Sequence, residues 1–122
     1  MTASVKLSPS QMAIAWHESK RLGREAGETV IPQAMIVEGY ENDPISDGAC
    51  GFGWVNVSPG NSRFAKWLVR NEYARKDSYY GGVTVWIGEH RQSLTRKAAH
   101  ASTMAAHLRT FGIEARGASR ID

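Results

Sequence analysis

Four groups of residues carry the chemistry this chain has to offer: one cysteine, four histidines, a run of acids and a basic strand-to-helix segment. Cys50 lies in DGACGFGWV. A nucleophilic thiol needs a lowered pKa and a base within hydrogen-bond reach. DGAC precedes an extended run rather than opening a helix, and His17, His90, His100 and His107 are far from it in sequence. A cysteine beside glycines reads as a small buried hydrophobe. His100 and His107 are seven apart on one helical run, about 10.5 Å along its axis, too far to share a metal ion. Chelation from a helix uses spacings of three or four. With Arg96 and Thr103 they form a mildly basic stripe expected to face solvent. The acids of residues 38–47, among them Glu41, Asp43 and Asp47, lack the order of an EF-hand and read as a solvated loop. No catalytic residue, metal or cofactor is assigned.

The segment VSPGNSRFAK, residues 57–66, is the strongest candidate. A helix start leaves N–H groups unpaired and carries partial positive charge. Gly60 permits a tight turn or a close ligand. Ser58, Asn61 and Ser62 supply short polar groups, and Arg63, Lys66 and Arg70 add full charges. Together they suit an anion such as phosphate. The same residues also make an ordinary helix cap after a Pro-Gly turn. Neither the GxxxxGK[ST] nor the GxGxxG nucleotide signature is present. Tyr79 and Tyr80, followed by two glycines, put two rings on a permissive loop and join the candidate site. Trp54 and Trp86 fall on strand faces opposite the valines. Uncovered, that face would be a stacking platform for bases. The expectation is that helices cover it, because large exposed apolar patches are uncommon unless they bind something.

The elements that must position these groups follow from periodicity. Ser8-Pro9 caps a helix whose face is Met12, Ala15, Trp16, Ser19, Leu22, Gly23 and Ala26, ending near Gly27. Residues before it, to Leu7, are expected to be loose. Residues 30–38 read as a first strand, with Pro32 at its start or on an edge. In residues 51–57, Phe52, Trp54 and Asn56 face one side and Val55 and Val57 the other. Gly51 and Gly53 suggest a bulge or a close backbone approach. A helix with Phe64, Trp67 and Leu68 inward follows, then a loop over residues 74–82. The next strand, residues 83–89, sets Val83, Val85 and Ile87 on one face. Ser93 caps a long helix to about Phe111, with a seam of Leu94, Ala98, Ala101, Ala105 and Leu108 and a stop at Gly112. Residues 113–119 form a last strand. The order is α-β-β-α-β-α-β: one α+β domain over residues 1–122, a four-stranded mixed sheet with helices packed mainly on one face.

The bulk composition is that of an ordinary water-soluble domain. A chain of 122 residues buries roughly two-thirds of its unfolded surface and needs no disulfide. No apolar run approaches the roughly 18 residues of a membrane span, the start lacks a signal peptide's apolar stretch, and a cytoplasmic location is the expectation. Charge is divided unevenly. Residues 1–60 carry four Lys/Arg and seven Asp/Glu, while residues 61–122 carry eleven and five. Such asymmetry points to an anionic partner for the second half, or to self-association of acidic half with basic half.

DGACGFGWV, SRFAKWL, YYGGVTVW and GIEARGASRID resemble small uncharacterised proteins encoded by tailed bacteriophages and prophages, from about Asp47 onward. The resemblance implies a product of the host cytoplasm and transfers no activity. Three functions are therefore expected. The first is a non-enzymatic binder of nucleic acid or of a phosphorylated small molecule at residues 58–66. The second is a module that self-associates or grips a host protein. The third is an enzyme using Cys50.

Overall fold

The computed structural model describes residues 6–31 and 49–122. The helix α1 spans Pro9–Thr29. Ser8 caps it in a full capping box: its hydroxyl accepts from the Gln11 amide at 3.2 Å, and the Gln11 side chain accepts from the Ser8 amide at 2.8 Å. Leu7, expected in a loose start, is instead buried in the core. The inferred first strand falls mostly outside the described residues; Val30 is the C-cap of α1 and Ile31 is exposed.

Six further elements follow: β1 Gly51–Ser58, α2 Arg63–Arg70, β2 Arg75–Lys76, β3 Val83–Trp86, α3 Leu94–Arg109 and β4 Glu114–Ile121. The α+β class stands as expected, and the shared elements follow in the expected order, with β2 added between α2 and β3. The sheet, however, is antiparallel throughout, in the order β2-β3-β1-β4, and not mixed. The crossovers do join strands of like direction, β1 to β2 through α2 and β3 to β4 through α3. Each such pair is then split by an inserted strand, β3 in one case and β1 in the other. The missing piece was β2, two residues within a segment read as loop, whose hairpin reverses the chain before β3.

Helix α3 packs on β1 and β4, and α1 packs chiefly on α3. Val55, Val57, Val83, Val85 and Ala115 point into a core shared with Trp16, Leu68, Ala101, Met104 and Leu108. Glycines bring α3 close to the strands. A methyl on Gly53 would stand 2.9 Å from the Lys97 carbonyl oxygen, and one on Gly117 would stand 2.7 Å from the Ala101 carbonyl carbon. Gly53 thus marks a close backbone approach, the second of the two expectations for it. The α3 seam is broader than expected: Lys97, His100 and Met104 are buried beside Ala101, Ala105 and Leu108, whereas Leu94 and Ala98 are half-buried. Gly112 takes the left-handed conformation, φ 80°, just past the helix end.

Candidate functional site

Among the described residues no helix lies on the other sheet face. Side chains alternate across a strand, so the pairing register lays out this face in rows about 6.8 Å apart. One row crosses all four strands as Arg75, Thr84, Asn56 and Arg116. The next holds Trp86, Trp54 and Ala118, and the third Phe52 and Arg120. Trp86 is 57% exposed, and its ring lies 5.2 Å from that of Trp54. The Arg120 guanidinium sits over Phe52 at 5.5 Å from the ring centre. Trp54 and Phe52 are half-buried. The expectation that these tryptophans belong to the core is therefore corrected: Trp16 and Trp67 fill the core, while Trp54 and Trp86 line the open face.

On this face, among the described residues, three arginines stand with one carboxylate near the centre, that of Asp77, which bonds to Thr84. Arg75, Arg116 and Arg120 are exposed and make no ion pair among the described residues; the ion pairs found there join Arg21 to Glu18 and Glu25 within α1. Glu114, across from Ser58, and Asp122 lie at opposite ends of the face.

The hairpin tip is tied to the same face. Asn56 donates to the Gly81 carbonyl at 2.8 Å, and the Thr84 hydroxyl donates to Asp77 at 2.7 Å. Asp77 also accepts from the Tyr79 and Tyr80 amides at 2.9 Å each. The Thr84 hydroxyl first, then the Tyr80 and Tyr79 amides, hold the Asp77 carboxyl below its usual range. Gly81 and Gly82 have positive φ, 79° and 68°, which makes the reversal possible. The turn presents Tyr79 and Tyr80 edge to face, 82% and 67% exposed.

The expected site at residues 58–66 is divided by the fold. Ser62 is the N-cap of α2, its hydroxyl accepting from the Ala65 amide at 3.2 Å, so it serves the helix. Ser58, Ser62 and Arg63 border a hollow of about 460 Å³ with Leu7, Phe64 and Arg109. Gly60, Asn61 and Lys66 border a different hollow, of about 530 Å³, with Lys76 and Gly82. Arg70 is exposed one turn beyond Lys66. Asn61, Arg63 and Lys66 are also exposed, so the charge is available, but these residues do not converge on one point.

Two further expectations are corrected. Cys50 is exposed rather than buried, paired across from Ser93 just before β1. Among the described residues no histidine bonds to it; His90 and His100 bond instead to each other. His100 leaves the solvent stripe assigned to it and is 1% exposed. Among the described residues no group of three metal-ligating side chains assembles, and no helix is long and apolar enough to cross a membrane.

Sequence reasoning missed Phe52, Arg75, Arg116 and Arg120 as site residues. The last strand did carry a signal, because EARGASRI alternates so that Arg116 and Arg120 share a face. Comparison with protein-family models, with curated proteins and with solved structures finds no match.

Proposed function

We propose that this chain is a non-enzymatic protein that binds single-stranded nucleic acid on its open sheet face. Unpaired bases stack on Trp86, Trp54 and Phe52, and Arg75, Arg116 and Arg120 meet the phosphates. The single observation that carries this reading is the Trp54–Trp86 pair, half-buried and exposed respectively, set among arginines that make no ion pair among the described residues. Base–aromatic stacking beside a cationic track is the general solution for single strands. A duplex hides the π-faces that these rings need. A phosphorylated small molecule would leave most of so long a face unused. An origin in a tailed bacteriophage or prophage, with the host cytoplasm as the site of action, belongs to the proposal and rests on the sequence motifs.

Anisotropy of labelled oligothymidine and oligouridine, with a duplex as control, tests the reading. Binding to the single strands should weaken steeply with salt. Trp86→Ala should lower the affinity about fivefold or more, from ~1–3 kcal/mol per stacked base. Absence of binding at low salt, or an unchanged Trp86→Ala variant, removes the proposal.

Self-association is the second reading, favoured by one observation. β4 is an eight-residue edge strand that ends in an exposed Ile121, and such edges template pairing with another chain. Sedimentation decides it: a tight dimer indifferent to nucleic acid supports this reading over the first.

A further inference from the structure

The hairpin of β2 and β3 has cationic groups on both of its sides. Arg75 and Lys76 are consecutive, so they point to opposite faces of the sheet edge. Arg75 belongs to the open-face row with Thr84, and Lys76 pairs with Val83 on the helix side. There Lys76 shares the hollow of about 530 Å³ with Lys66, Asn61 and Gly60. Gly60 also abuts Gly82 of the hairpin turn; a methyl on Gly60 would lie 3.5 Å from the Gly82 Cα. Asp77 is on the same wall, but its carboxylate is engaged by Thr84, Tyr79 and Tyr80. Lys66 and Lys76 are exposed and make no ion pair among the described residues. The exposed tyrosine pair stands on the turn between the two cationic surfaces.

We infer that a single strand held on the open face continues over the Tyr79–Tyr80 turn onto a Lys66–Lys76 shelf, so that the site has two limbs. This inference rests on the open-face reading and extends it. The aromatics of a sheet face stack about two or three bases. A longer strand leaving the Arg75 row meets the tyrosines next, then the lysines. The hydrogen bonds from Thr84 to Asp77 and from Asn56 to Gly81 set the turn in place before a ligand arrives. Charge complementarity selects the occupant of the shelf, because a polyphosphate chain is the ligand that can already occupy the adjoining arginines.

A length series tests the inference, with labelled oligothymidines of four and of twelve nucleotides as probes. The variants are Lys66→Ala/Lys76→Ala, Tyr80→Ala and Trp86→Ala, each checked for native circular dichroism. The double-lysine variant should bind the longer probe about tenfold more weakly, and its salt slope should fall by about 1.4, roughly 0.7 per phosphate contact on a single strand. Tyr80→Ala should also weaken the longer probe, and neither variant should change the binding of the shorter one. Trp86→Ala should weaken both. A longer probe that binds more tightly than the shorter, yet is unaffected by loss of the lysines, overturns the second limb and leaves the open-face reading standing. Loss of all binding at low salt, or a Trp86→Ala variant equal to the parent on both probes, overturns the open-face reading and the second limb with it.

Discussion

His90 and His100 form a hydrogen bond between Nε2 and Nδ1, 2.9 Å long, at the junction of α1, α3 and the loop between β3 and α3. One ring must donate and the other accept, so the bond is lost when both facing nitrogens carry a proton. Gly27 and Gly23 of α1 make room for the two rings. Burial, as the largest cause, lowers both pKa values, that of His100 to about 4. Glu89 and Glu28 oppose the shift; Lys20, Arg24, Arg96 and Lys97 add to it.

Stability should therefore depend on pH in a stated direction. The unfolded chain takes up protons near the ordinary histidine value of about 6.5, whereas folded His100 does so only near pH 4. Between those values the unfolded state binds more protons. The histidine contribution is complete above that window, declines as pH falls through it and is exhausted below. The loss is on the order of 3 kcal/mol for His100. Urea titrations across the window should show the slope, and His100→Leu should flatten it.

Helix α3 sits too close to the sheet to tolerate side chains at two glycines. Gly53→Ala and Gly117→Ala each place a methyl within 3 Å of α3 backbone atoms, which cannot swing aside as a flexible side chain would. Each should cost about 1–3 kcal/mol by overpacking. Thermal melts should record the loss; an unchanged melting temperature for both would contradict the close packing.

Ser19 is fully buried on α1, and its hydroxyl has no hydrogen-bond partner among the described residues. An unsatisfied buried hydroxyl costs about 1–3 kcal/mol. Ser19→Ala keeps the volume nearly constant and improves helix propensity. The variant should be at least as stable as the parent, by up to ~1 kcal/mol or somewhat more, which the denaturant midpoint would report.

Arginines of β4 should be separable from the aromatics by their salt response. Arg116→Gln and Arg120→Gln should each lower the salt slope of oligothymidine binding by about 0.7, as loss of one phosphate contact on a single strand gives. Trp86→Ala should weaken binding with little change of slope, because stacking releases no counterion. Equal slopes for all three variants would argue against phosphate contacts on this face.

Cys50 should react with a thiol reagent in the native protein, since its side chain is exposed. A native rate far below that of the denatured chain would show the thiol to be shielded.

The parts legible in the sequence are those governed by local periodicity and caps. Ser8 and Ser93 cap α1 and α3 as expected, and the alternation of Trp54 against Val55 placed them correctly on opposite faces. Strand pairing was not legible. β2 is two residues long and defined by its partner, so no local pattern reveals it. The burial of His100 follows from the His90 ring ten residues away, placed by a loop with positive φ at His90 and Arg91. The candidate site shifted for a related reason. The arginines of β2 and β4 reach the tryptophans through long-range pairing, whereas the basic helix start could be seen in one short window.

The interleaved strand order also governs when a binding surface exists. During synthesis β1 emerges early, but its two neighbours lie some thirty and sixty residues downstream, and such distant pairings are slow to form. Until β4 docks, Arg116 and Arg120 are absent from the face beside Trp54 and Phe52. A polyanion that needs the whole surface would then recognise only finished molecules, and by mass action it would hold them in that state.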